Sequence, residues 1–169
     1  MSEIDSYRQF VERLAELSSS EVFSNGQPAH AQVIFETFFK FAKKSVLIFC
    51  NKLSEKVYGQ QLLINAAGDA LNRPGVEIKI ITQQQPEAQN FVAALTRWKG
   101  EGKPISLATT FPGTFASETQ HNFAVMDGKA YRFEPARDSQ NRTAFACMND
   151  PEIAAKLSQL FERLEPCAA

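Results

Sequence analysis

Only two histidines stand in this 169-residue chain, and one of them opens a run that could do chemistry: Gln120-His121-Asn122-Phe123-Ala124-Val125-Met126-Asp127-Gly128-Lys129. The ordinary pKa of imidazole lies close to neutrality, so His121 is the first residue here to weigh for chemistry. Just downstream, Lys129, Arg132, Arg137 and Arg142 are interleaved with Asp127, Glu134 and Asp138. Guanidinium groups grip phosphate through paired hydrogen bonds. The stretch therefore reads as a phosphate-binding rim or, alternatively, as a solvated loop closed by internal ion pairs, Asp138 with Arg142 foremost. The other histidine, His30, falls in the first turn of a helix, where a capping or surface role competes with a site role. Three cysteines without metal-type spacing support neither a disulfide framework nor a metal site. No cofactor is expected.

These residues must be positioned by elements that the apolar pattern makes legible. Tyr7, Phe10, Val11, Leu14 and Leu17 recur at helical spacing behind Asp5 or Ser6 as N-cap, and Ser18-Ser19-Ser20 reads as a linker. The Phe-rich segment from about Ala29 to Lys44 predicts a largely covered second helix. Ser45 to Cys50 is uniformly apolar, as in a strand buried on both faces. A helix (about Gln60–Asn72), a strand (Val76–Thr82), a helix (about Glu87–Lys99) and a strand (Ile105–Ala108) follow. His121–Met126 and Ala130–Glu134 flank Asp127-Gly128, a strong hairpin signal because both turn positions favour residues that tolerate positive φ. Thr143–Met148 is a last strand. Asp150-Pro151 opens a closing helix with N-cap and first-turn proline. Strand–helix alternation followed by a hairpin predicts an α/β domain: a mixed, mostly parallel sheet covered by helices on both faces. Residues 1–20 form an extra N-terminal amphipathic helix and linker, and residues 21–169 the domain proper.

From about Ala29 to Glu165 this order resembles one half-domain of the phospholipase D superfamily, whose signature strand reads H-x-K-x-x-x-x-D followed by Gly. A Rossmann-like sheet fits less well, since Asn51-Lys52-Leu53-Ser54 after the first strand holds no glycine-rich phosphate loop. The resemblance implies a site built from two motifs, with one histidine attacking phosphorus, the other acting as general acid, and two lysines holding the oxygens. A chain with one motif is then implied to dimerise. Anchored on His121, the motif has Phe123 in the lysine place, and Asp127 falls six positions later, one short of the family spacing. Anchored on Asp127-Gly128, it puts Gln120 and Asn122 in the histidine and lysine places. Neither register restores both groups.

The expected site therefore comprises His121 as a catalytic remnant, with Gln120, Asn122, His30, Glu134, Arg137, Asp138 and Arg142 as ligand-binding residues. The reading is a catalytically degenerate homodimer that binds a phosphate-containing ligand or a protein partner. Alternatives are an active phosphodiesterase or nuclease using His121, and a structural subunit of a larger complex. A protein partner would meet the first helix. The net charge of −1 provides no global basic field for nucleic acid or membrane, so a nucleic-acid partner is a weak expectation. No apolar run approaches the roughly 20 residues of a membrane span, and the cysteine usage suits a reducing cytoplasm.

Overall fold

The computed structural model describes residues 1–135 and 143–169. In chain order it contains α1 (Glu3–Glu16), β1 (Phe23–Asn25), α2 (Pro28–Phe41), β2 (Ser45–Cys50), α3 (Glu55–Tyr58), α4 (Gln61–Asn72), β3 (Glu77–Thr82), α5 (Gln89–Gly100), β4 (Ile105–Thr109), α6 (Phe115–Glu118), β5 (Asn122–Met126), β6 (Ala130–Glu134), β7 (Ala144–Cys147) and α7 (Pro151–Leu164). The strands form one sheet in the order β1-β7-β6-β5-β2-β3-β4. Strands β2, β3 and β4 run parallel, whereas the β1–β7, β7–β6, β6–β5 and β5–β2 pairings are antiparallel. The sheet is mixed as expected, but its antiparallel pairings outnumber the parallel ones. The reason is physical: the hairpin inserts β5 beside β2, and β7 and β1 then extend the antiparallel half.

Because successive strand residues face opposite ways, the sheet separates two cores. Val46, Ile48, Ile78, Ile80, Ala124 and Met126 face helices α1, α2, α4 and α5. Phe49, Ile81, Phe123, Val125 and Tyr131 face α7, whose Leu157, Phe161 and Leu164 cover them. The apolar run of β2 is thus explained by two covered faces. Helix α1 buries Val11 and Leu14 of its stripe in the first core, while Phe10 and Leu17 stay exposed. Its N-cap is Ser2 rather than Asp5 or Ser6, because Ser2 and Asp5 cap each other reciprocally and start the helix at Glu3.

The hairpin turn adopts the expected geometry, with φ +55° at Asp127 and +66° at Gly128. Asp127 also reaches beyond its own hairpin. Its carboxylate accepts the backbone N–H groups of Lys43 (2.9 Å), Lys44 (2.7 Å) and Ser45 (3.0 Å), fixing the start of β2. At the closing helix, the Asp150 carboxylate accepts from Ile153 N–H at 3.1 Å. Asp150→Ala is expected to lower stability by about 1 kcal/mol, the usual loss for an N-cap, as read from the urea midpoint.

Candidate functional site

Strand β5 runs antiparallel to β2, so its amino end meets the carboxyl end of β2. There, where the parallel strands β2 and β3 end, lies an open cavity of about 600 Å³. Ligands in open α/β sheets bind outside the carboxyl ends of strands, and this volume suits a small molecule. The residues just beyond the strands build the rim. Gln83 N–H donates to the Cys50 carbonyl (3.1 Å) and Gln84 N–H to that of Asn51 (2.8 Å), stitching the two post-strand turns together.

Strand β6 supplies the charged wall. Register places Asn122 opposite Glu134 and Ala124 opposite Arg132, so Asn122, Arg132 and Glu134 share the cavity face. Asn122 Oδ1 accepts Asn51 N–H at 3.1 Å, and its Nδ2 donates to Glu134 Oε2 at 3.4 Å. Arg132, only 8% exposed, donates through Nη1 to Glu134 (3.5 Å) and through Nη2 to Asn25 Oδ1 (3.2 Å). Its guanidinium carbon lies 5.5 Å from the Phe35 ring centre. The Gln83 amide nitrogen donates to the carbonyls of Ala116 and Thr119, both at 2.7 Å, and so anchors the loop before β5. Two buried polar atoms of cavity-lining residues have no partner: Gln83 Oε1 and Arg132 Nε. Burial, aided by Cys50 and Glu134 and opposed by Arg132, holds the Tyr58 phenol well above its ordinary pKa. At neutral pH it is an uncharged hydroxyl and not a base.

The structure brings together Gln120, Asn122 and Glu134 of the expected residues, all lining the cavity. His30 lies elsewhere, between the first two helices, its ring stacked on Tyr7 at 4.1 Å. His121 packs against Phe133 with ring centres 5.2 Å apart, on the face that Phe123 shares with α7. Lys129 reaches Ser18 Oγ (3.2 Å) from the turn at the other end of the hairpin. Arg137, Asp138 and Arg142 lie outside the described residues. Asn25, Phe35, Asn51, Tyr58 and Gln83 were not legible as site residues. The one available signal was the placing of Asn51 and Gln83 directly after apolar strands.

No family model and no curated protein matches the sequence, but solved structures do. Nuc, a phospholipase D family member from Salmonella typhimurium, aligns with a TM-score of 0.60 and 15% identity over 88% of this chain and 95% of its own. NucT from Helicobacter pylori aligns with a TM-score of 0.60 and 14% identity over 88% of this chain and 99% of its own. The chain has a phospholipase D-like fold. TrmBL2, an archaeal chromatin protein whose structure shows a novel mode of DNA binding, aligns with a TM-score of 0.68 and 15% identity. That alignment covers 98% of this chain, which spans only 60% of TrmBL2.

Within the phospholipase D-like fold the two signature registers occupy opposite faces. The register anchored on Asp127-Gly128 sends Gln120 and Asn122 into the cavity; the one anchored on His121 sends His121 and Phe123 toward α7. Parity alone separates them, since neighbouring residues on a strand point opposite ways. Among the described helices none is long and apolar enough to cross a membrane.

Proposed function

We propose that this chain is a non-catalytic binding module, working as a homodimer, in which the cavity of a phospholipase D-like fold holds a ligand without cleaving it. One observation carries the reading: two amides, Gln120 and Asn122, stand on the cavity face where the Asp127-anchored signature would carry histidine and lysine. An amide neither attacks phosphorus nor carries positive charge, and losing one preorganised transition-state stabiliser commonly lowers rate by about 10²–10³-fold. The other groups of the described lining do not replace them. Arg132 is committed to Glu134 and Asn25, and Lys52 to Glu87. Tyr58 keeps its proton.

Dimerisation enters through the resemblance of a single-motif chain. The exposed rings of Phe111 (47%) and Phe115 (45%) support it, because they flank the loop that brings Ser117 to the cavity. A second copy seated there would cover both rings. The DNA binding of TrmBL2 brings no separate proposal, since the net charge of −1 offers a polyanion little general attraction.

Pure protein incubated with bis(p-nitrophenyl) phosphate is expected to release no nitrophenol above buffer, and His121→Ala is expected to change nothing. Release by the wild type that disappears in His121→Ala would restore the phosphodiesterase reading. Light scattering tests the assembly, and a monomer at micromolar concentration removes dimerisation from the proposal.

A further inference from the structure

We infer that the free edge of β4 takes an extended segment of another protein as an added strand, one carrying an aliphatic residue and, two positions later, an acid. This surface lies apart from the cavity and does not depend on how the cavity is read.

Backbone direction comes first. Strand β4 stands at the end of the sheet order and, among the strands, pairs only with β3. Thr110 N–H donates inward to the Thr82 carbonyl (2.9 Å), whereas Thr109 N–H donates to Ala169 (3.0 Å) and Phe111 N–H to Cys167 (2.8 Å) in the C-terminal tail. Ala169 N–H returns a bond to the Thr109 carbonyl (3.1 Å), so the tail runs antiparallel along this edge. Along a strand the N–H and C=O groups of every second residue point to the same side. Leu107 therefore turns both its groups outward, as Thr109 does, but lies beyond the stretch that the tail covers. Ile105 offers its carbonyl on the same side, its N–H being bonded to Lys103 (2.9 Å). An edge that already accepts the tail can accept a second segment below it.

The side chains beside this edge define what fits. Leu95, Thr96 and Lys99 of α5, with Ile105 and Leu107 of β4, line an open slot of about 240 Å³. An apolar cavity of about 150 Å³ holds a benzene ring, so the slot has room for one aliphatic side chain. Residues directly opposite in an antiparallel pair share a face. The residue opposite Leu107 would thus enter the slot, and the one two positions later would lie opposite Ile105. There Lys99 stands exposed and pairs with no acid among the described residues. Lys103, in the turn before β4, adds a second ammonium against the single acid of that turn, Glu101. An acid at the position opposite Ile105 complements this charge. A β4 strand from a second copy fits the edge poorly. Across a two-fold axis at Leu107 it would set Ile105 against the partner's Thr109, whose outward groups the tail already takes.

Because Ala169 holds Thr109, the shortest probe begins at the aliphatic residue: the peptide acetyl-L-T-D-T-amide, titrated into the isotope-labelled full chain and followed by amide NMR. The Leu107 amide and its neighbours in β4 are expected to shift saturably, while amides around the cavity stay still. Methylating the backbone nitrogen of the peptide's leucine removes the donor to the Leu107 carbonyl and is expected to weaken binding about tenfold. The protein is unchanged in that comparison, so misfolding cannot imitate the result. Lys99→Glu, at an exposed position, is expected to weaken the acidic peptide about two- to fivefold and to favour acetyl-L-T-K-T-amide by a similar factor. Equal affinity of the methylated and parent peptides overturns strand addition. A charge preference that Lys99→Glu leaves unchanged overturns the acidic partner, and the absence of any saturable shift overturns the whole inference. Splitting of a dimer by the peptide in light scattering overturns it as well, because the edge would then belong to a second copy.

Discussion

Phe123→Lys is expected to abolish cooperative folding, whereas Asn122→Lys, one residue away, leaves a folded protein. Phe123 is 2% exposed, and its ring lies 5.5 Å from that of Phe49 in the core under α7. Removing a buried Phe ring typically costs about 3–5 kcal/mol through lost transfer energy and the cavity left behind. Burying an ammonium without a carboxylate partner adds several kcal/mol more. Together these reach the total of about 5–15 kcal/mol that holds a domain of this size folded. Asn122 instead faces the cavity and is half-buried. Lysine there gives up the bond to Asn51 N–H, a loss of about 1–3 kcal/mol, but its flexible stem can carry the charge to solvent or to Glu134. Far-UV circular dichroism through a urea titration separates the two outcomes. A folded Phe123→Lys beside an unfolded Asn122→Lys would exchange the faces assigned to the two registers. The comparison also shows why inserting lysine at the position set by His121 does not rebuild a phosphate site: that position belongs to the core.

The elements that sequence made legible are those whose pattern depends on their own environment. Ser45 to Cys50 is apolar throughout because β2 is flanked by strands and covered above and below. The Asp127-Gly128 turn is legible because left-handed backbone restricts the residues that can occupy it. Strand β1 was not legible: its three residues pair only with β7, at the sheet edge, and follow a turn-rich stretch. Helices α3 and α6 are single turns, too short to show a period. The signature register was ambiguous for a related reason. Phe123 and Val125 face one core, Ala124 and Met126 the other, so both faces of β5 are apolar and the pattern carries no parity.

The cavity depends on sheet order, which a strand's own residues do not record. Asn51 and Gln83 are neighbours because β2 and β3 are parallel and end together. They meet Asn122 because β5 enters beside β2 from the opposite direction. Arg132 lies in a stretch of interleaved basic and acidic residues whose pattern fits a phosphate-binding rim or a solvated loop. The β5–β6 register puts Arg132 and Glu134 on the cavity face while Tyr131 and Phe133 face the core under α7.

The second large effect is expected at Asp127, at the far end of the same strand. Asp127→Ala should lower stability by about 3 kcal/mol, since hydrogen bonds to a charged acceptor are worth about 1.5–3 kcal/mol each and solvent can partly replace those at the exposed Lys43 and Lys44. Three consecutive backbone N–H groups, from Lys43 to Ser45, converge on this carboxylate, so one substitution releases them together. Alanine adds a second penalty, because Asp127 sits at φ +55°, where a β-carbon is disfavoured and Asp, Asn or Gly is tolerated. The two contributions are separable. Asp127→Gly relieves the backbone but loses the acceptor, while Asp127→Asn keeps one oxygen and the backbone preference but loses the charge. The expected order of urea midpoints is wild type, then Asn, then Gly, then Ala. Equal midpoints for the wild type and Gly would mean that the carboxylate contributes nothing beyond its turn conformation. The same order bears on the role of the Asp127-Gly128 turn in the fold. That turn joins α2, β2 and the hairpin whatever lies at the opposite end of β5, so the fold depends on Asp127 but not on a histidine or lysine in the cavity. Residues 120 and 122, which line the cavity at the other end, make none of these contacts, so the scaffold does not depend on their identity.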